Sequence, residues 1–151
     1  RLNARVTEGV AEVMAEINLG LAVNLETGLV VPVLRNADRK TVAELATEAL
    51  RLAEAARENR LPPAASQGGT FTVTSLGAAG IDWFTPIINQ PQVGILGVGR
   101  IAERAVVRDG RVVAAPTMIL TLVYDHRVVD GYPASLFLAG VRDRLERARD
   151  L

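Results

Sequence analysis

Residues 92–107 (QVGILGVGRIAERAVV) and 111–124 (RVVAAPTMILTLVY) are two long runs of β-forming side chains, joined through Asp109-Gly110. Asp-Gly between apolar runs is a strong hairpin signal, because both residues tolerate the positive φ that matches strand twist. Upstream, Thr70 to Thr74 (TFTVT) reads as a further strand after Gly68-Gly69. Between them, Ser75 to Pro91 is interrupted by Gly and Pro and carries the apolar pair Trp83-Phe84, so a long, structured loop is expected. Ile17 to Val23 (INLGLAV) and Leu29 to Leu34 (LVVPVL) flank Asn24-Leu-Glu-Thr-Gly28 as a hairpin with a longer loop. Pro32 cannot donate to a ladder and belongs at an edge or bulge.

Two helices accompany these strands. Thr41 to Asn59 opens on a capping-box pair, Thr41 and Glu44, and repeats apolar residues at Val42, Leu45, Ala46, Ala49, Leu52, Ala53 and Ala56. Its charged residues read as a solvated face, and Leu61-Pro-Pro63 stops it. Pro133 to Asp150 is expected to be a tail helix burying Ala134, Leu138, Val141, Leu145 and Ala148. Strands with two amphipathic helices and no internal repeat predict a single α/β domain.

Composition narrows the chemistry. The chain has 151 residues, with 17 Lys+Arg against 17 Asp+Glu, no Cys and one His. A neutral balance lacks the cationic field of a nucleic-acid or anionic-membrane surface. Without Cys and with one His, no zinc ligand set, disulfide or thiolate nucleophile exists, and no metal is expected. The apolar stretch from Val112 to Tyr124 is too short to span a bilayer, so a soluble, cytoplasmic domain is expected. Arg1 to Gly9 (RLNARVTEG) is polar and has no starter Met, which points to a piece of a longer protein.

Three common motifs fail. Gly97-Val-Gly99 lacks the third Gly of a dinucleotide fingerprint, since position 102 is Ala. The only Lys, Lys40, follows Arg39 and not the Gly of a P-loop. Val73-Thr-Ser75-Leu-Gly77 lacks the first Gly of a nucleophile elbow. What remains is Tyr124-Asp-His126-Arg-Val-Val-Asp130-Gly131, where an apolar strand ends in a cluster of titratable residues. An isolated His at a strand end reads, by itself, as a satisfied, partly buried imidazole. Asp130 four residues on, and Gly131 permitting a close turn, favour a functional role.

The DHRVVDG segment resembles the active-site signature of the dihydrolipoyl acyltransferases, the core components of 2-oxo acid dehydrogenase complexes. Gly28–Asp38 (GLVVPVLRNAD), Gly68–Gly77 (GGTFTVTSLG) and Ile87–Gly99 (IINQPQVGILGVG) resemble the same family in the same order. The resemblance implies a chloramphenicol acetyltransferase-like mixed β-sheet with flanking helices, lacking the fold's N-terminal elements. Lipoyl and partner-binding domains would lie upstream, and Lys40 does not look like a lipoyl-attachment site.

The resemblance also implies the chemistry. The acyl group would move between dihydrolipoamide and coenzyme A, with the lipoyl group carried on a domain outside this chain. His126 would take the thiol proton, and Thr74 would offer its hydroxyl to the oxyanion, with Ser75 able to share that duty. Asp130 would be an architectural carboxylate, paired in the related fold with an arginine from the N-terminal part. Arg127 and Asp125 would be structural. Coenzyme A contacts carry over to Asn24, Thr74, Ser75 and Gly99; relatives carry Asp at the position of Asn24.

The implied assembly is a homotrimer building a larger hollow core, with the site in a channel between subunits and Trp83-Phe84 and Ile87-Ile88 as candidate contacts. Decarboxylase and dihydrolipoyl dehydrogenase components would bind through the absent domains, with no nucleic acid or membrane partner. Two alternatives stand beside it: a catalytically silent oligomerisation core, and an antibiotic O-acetyltransferase. The second is disfavoured because Asp125 stands where those enzymes have a second His.

Overall fold

A computed structural model describes residues 1–26 and 28–148. The strands are β1 (Ala4–Thr7), β2 (Val10–Val13), β3 (Leu19–Leu21), β4 (Val23–Leu25), β5 (Gly28–Val30) and β6 (Val33–Leu34). They continue as β7 (Phe71–Ser75), β8 (Gly94–Val98), β9 (Ala102–Arg108), β10 (Arg111–Thr117) and β11 (Leu120–Tyr124). The helices are α1 (Val42–Arg57) and α2 (Gly131–Glu146).

The main sheet has the order β11-β8-β7-β3-β6. Its centre is parallel (β3 with β7, β7 with β8) and its edges, β11 and β6, are antiparallel. The sheet is therefore mixed, with helices beside it, as the resemblance implied. β1–β2, β4–β5 and β9–β10 form separate two-stranded sheets.

Residues that share a register position point to one face of a sheet. Phe71, Val73, Leu96, Leu122 and Tyr124 line one face and pack with Leu2, Ala4, Val93, Val129 and the Ala134, Leu138 and Val141 stripe of α2. Burying each large apolar side chain of this core contributes about 1.5–3 kcal/mol. The opposite face carries Gly20, Thr72, Thr74 and Gly97, with Ile95 and Val123 alongside. Thr72 is buried there, and its hydroxyl donates to Gln92 Oε1 at 2.6 Å.

The Asp109-Gly110 turn forms as read: both residues have positive φ (51° and 74°), and Arg108 pairs directly with Arg111. The helix cap also forms. Thr41 Oγ1 accepts from the Glu44 N–H at 3.3 Å, and Glu44 accepts from the Thr41 N–H at 2.8 Å.

Several expectations need correction. Each long β run breaks between two sheets: at Ala22, at Val31-Pro32, at residues 99–101 and at Met118-Ile119. Pro32 sits at such a break, while its carbonyl accepts from Leu21 N–H at 2.8 Å. The loop of the first hairpin is tighter than read, because Leu25 already pairs with Gly28. The polar start contains β1, turned at Glu8-Gly9 (φ 51° and 79°).

The helices also differ in detail. Helix α1 ends at Arg57, and Val42 and Ala46 of its apolar stripe are exposed. Helix α2 begins at Gly131 with Asp130 as N-cap, which places Pro133 in the first turn. Leu145 and Ala148 are exposed, and positions 149–150 lie outside the described residues. Among the described residues, no helix is long and apolar enough to cross a membrane, and no group of three metal-binding side chains occurs.

Candidate active site

Strand β11 delivers the only histidine. Its ladder runs to Tyr124 opposite Gly94, and Asp125 N–H extends it by donating to the Val93 carbonyl at 2.8 Å. The chain then turns: the Asp125 carbonyl accepts from Val128 N–H (3.0 Å) and Val129 N–H (3.1 Å). Val129 buries its side chain in the core, which pins the far side of the turn. His126 is thereby held at the apex of a rigid turn with its side chain 69% exposed. The partly buried imidazole that a lone strand-end His suggested is not what forms. No hydrogen bond reaches the ring among the described residues; Tyr124 lies beside it, with centroids 5.7 Å apart.

Asp125 and Arg127 brace this turn. The Asp125 carboxylate accepts from Arg127 N–H at 3.0 Å, Nε at 2.9 and 3.1 Å, and Nη2 at 2.6 Å. Those hydrogen bonds from Arg127 lower the Asp125 pKa to about 2. Asp125 and Arg127 are thus tied to each other within the turn. Asp130 caps α2 by position, without a side-chain hydrogen bond to the helix. Its Oδ1 lies 3.9 Å from His126 Nδ1, beyond hydrogen-bond range but within reach of a protonated ring. No arginine pairs with Asp130 among the described residues. Its neighbour is instead His126, which leaves Nε2 on the far side of the ring.

Thr74 lies two strands away on β7, opposite Gly97, and is half-buried. The Ser75 hydroxyl donates to the Val98 carbonyl at 3.1 Å and accepts from Gly77 N–H at 3.2 Å, so it is committed to the strand-to-loop turn. Gly99 follows β8 at the same end of the sheet, buried under the Asp82 carbonyl. Asn24 is on β4, which leaves β3 just after Leu21 pairs with Val73. It opens on a cleft shared with Leu25, Glu26, Ala56, Arg57 and Asn59. Sequence reading assigned Arg57 to a solvated helix face; its place in this cleft depends on β4 crossing the end of α1.

The structure therefore gathers Asn24, Thr74, Ser75 and Gly99 at one end of the sheet and His126 with Asp130 at the other. Gly97 and Gly94, opposite Thr74 and Tyr124, are separated by about 10 Å along β8, and two strand spacings add about 10 Å sideways. Of the proposed subunit contacts, Trp83 and Ile87 are largely exposed, whereas Phe84 and Ile88 are partly buried.

Residues 1–151 match the family profile described as 2-oxoacid dehydrogenases acyltransferase (catalytic domain). The dihydrolipoyllysine-residue acetyltransferase component of the Bacillus subtilis pyruvate dehydrogenase complex is 50% identical over 135 residues. That match covers 88% of this chain and 30% of the relative, so the chain spans under a third of that protein's length. A crystal structure of Azotobacter vinelandii dihydrolipoamide acetyltransferase superposes with TM-score 0.89 at 40% identity, covering 99% of this chain and 62% of that one. Chloramphenicol acetyltransferase shares the fold, with TM-score 0.51 at 21% identity over 94% of this chain and 68% of its own.

Proposed function

The chain belongs to the 2-oxoacid dehydrogenase acyltransferase catalytic-domain family, and from that premise we propose that it moves an acyl group between dihydrolipoamide and coenzyme A. The observation that carries the proposal is His126: an exposed ring with no hydrogen bond among the described residues, held on a braced turn inside the family's motif. The Azotobacter vinelandii enzyme has been investigated for the catalytic roles of a serine, a histidine and an asparagine. Their intervals along that chain equal those separating Thr74, His126 and Asp130 here. Thr74 then stands for the serine and Asp130 for the asparagine, so one hydroxyl replaces another and a charge is added beside the ring.

The chemistry follows from these side chains. At neutral pH a thiol of pKa about 8.5 is mostly protonated, and a positioned imidazole accelerates its reaction by roughly 10²–10⁴. His126 Nε2 takes the coenzyme A thiol proton, and the sulfur attacks the thioester carbonyl of acyl-dihydrolipoamide. The carbonyl oxygen gains negative charge, and a preorganised hydroxyl from Thr74 stabilises it by about 3–4 kcal/mol. Expulsion of the lipoyl sulfur returns the proton from the imidazolium to it. Asp130 stands beside that ring, with its Oδ1 3.9 Å from Nδ1. Asn24, Ser75 and Gly99 form the wall for the acceptor thiol's carrier. This chain supplies no lipoyl group, which would arrive on another domain.

The proton acceptor and the hydroxyl must both lie within about 3 Å of the reacting atoms. One chain holds them at opposite ends of its sheet, so the working site joins Thr74 of one subunit to His126 of a neighbour. A cyclic homotrimer, part of a larger core, fits that requirement. The same separation supports a second reading for the chain in isolation, that of an assembly element without turnover. Sedimentation beside a thioester-transfer assay distinguishes the two.

The test of the proposal is His126→Ala in the intact, assembled protein. Transfer is expected to fall roughly 10²–10⁴-fold with assembly unchanged. Wild-type turnover by that variant refutes the proposal.

A further inference from the structure

The loop after β7 returns across the end of β8 and is fastened there by one carboxylate. Asp82 Oδ1 accepts from Arg100 Nε at 2.6 Å and from Arg104 Nη2 at 2.6 Å. Arg104 is itself anchored on β10, where its Nη1 donates to the Thr117 carbonyl at 2.9 Å and hydroxyl at 2.8 Å. The Arg100 hydrogen bond, with the Arg104 charge behind it, holds the Asp82 carboxyl below the usual range, so the bridge is ionic at neutral pH.

The backbone follows the same path. Arg100 N–H donates to the Ile81 carbonyl at 2.9 Å, and Leu76 N–H to the Val98 carbonyl at 3.3 Å. The Asp82 carbonyl sits so close to Gly99 that a Cβ there would be 1.9 Å away.

This fastening has a consequence two to four residues further on. Phe84 Cζ and Pro86 Cδ lie 3.3 and 3.2 Å from where a Gly97 Cβ would stand. Gly97 is the register partner of Thr74, and register partners point to one face. Phe84 and Pro86 therefore wall the row in which the Thr74 hydroxyl stands. Whatever it adds to stability, this three-charge network fixes where the loop sits. Its effect is geometric.

We infer that Asp82 is a positioning residue for Thr74, setting through its Arg100–Arg104 bridge the wall that holds the hydroxyl in its productive rotamer. The inference rests on the acyl-transfer reading above and adds a residue that acts through Thr74.

The experiment is a double-mutant cycle in the intact, assembled protein, with kcat and KM for coenzyme A measured for Asp82→Asn, Thr74→Ala and the pair. Thr74→Ala is expected to lower kcat about 10²–10³-fold. Asp82→Asn is expected to lower kcat roughly 10–100-fold, since small misplacements weaken transition-state contacts. Its KM should stay within about twofold, with assembly unchanged. Asp82→Glu should restore most of the rate, and Asp82→Asn should cost nothing further once Thr74 is Ala.

Should Asp82→Asn fail to fold, Arg100→Gln removes the Arg100 arm while leaving Asp82–Arg104, and must show a smaller loss of kcat with the same non-additivity. Full kcat in the bridge variant, or a loss repeated in full without Thr74, overturns the inference while leaving the acyl-transfer reading intact. Wild-type kcat in Thr74→Ala removes the role of Thr74, and the inference with it.

Discussion

Thr74 and His126 stand at opposite ends of one sheet, and β8 measures the gap between them. Thr74 lies opposite Gly97, whereas Tyr124, two residues before the histidine, lies opposite Gly94. The parallel pairing of β7 with β8 carries the hydroxyl to one end, and the antiparallel pairing of β11 carries the imidazole to the other. Under the acyl-transfer proposal, this topology requires two chains to complete one site.

Mixed assemblies should reveal that sharing. His126→Ala and Thr74→Ala variants, each nearly inactive alone, are expected to regain transfer when unfolded together and reassembled. With random mixing in a cyclic oligomer, about one site in four draws both intact side chains. Transfer by the mixture near a quarter of wild type supports a shared site; a mixture no more active than its components places both groups in one chain.

The turn beneath the histidine has its own pH signature. Hydrogen bonds from Arg127 lower Asp125 to about 2, below its ordinary value. A depressed carboxylate stabilises the fold while ionised, so its contribution is present above about pH 4 and is lost as pH falls towards 2. Arg127→Gln should therefore lower the urea midpoint at pH 7, and the gap from wild type should close between about pH 4 and pH 2. A gap that stays constant with pH assigns the loss to packing of the Arg127 stem instead.

How much of this was legible in the sequence depends on how local the determining chemistry is. The Asp109-Gly110 turn and the Thr41–Glu44 cap are set by residues within a few positions, and both form as read. Glu8-Gly9 between Val6 and Val10 is a similar turn, hidden within Arg1–Gly9, a stretch that reads as merely polar. The breaks at Ala22 and at residues 99–101 have only a weak local signature, a residue of low β propensity (Ala22, Gly99) inside an otherwise β-forming run. They are decided by which sheet each half can join.

The site divides in the same way. His126 and Asp130 share one turn and announce themselves in one motif. The part of Asp82 depends on a loop meeting Arg100 and, on β9, Arg104, which lie 18 and 22 residues later in the chain, and nothing in Ile81-Asp-Trp83 signals it.

Gly97 and Gly99 test the loop seat from beneath, and they should separate stability from turnover. A Cβ at Gly99 would meet the Asp82 carbonyl at 1.9 Å and the Ile119 carbonyl at 3.3 Å, both backbone atoms that cannot rotate away. Gly99→Ala is therefore expected to cost about 3 kcal/mol or more in urea unfolding. A Cβ at Gly97 would meet first the side-chain rings of Pro86 and Phe84, at 3.2–3.3 Å, which must yield by a few tenths of an ångström. Gly97→Ala is expected to cost about 1 kcal/mol at most. Because those rings wall the row of Thr74, the milder substitution should still lower kcat. Equal stability losses at the two positions, or a Gly97→Ala variant with full kcat, would show that the loop does not seat on β8 as described.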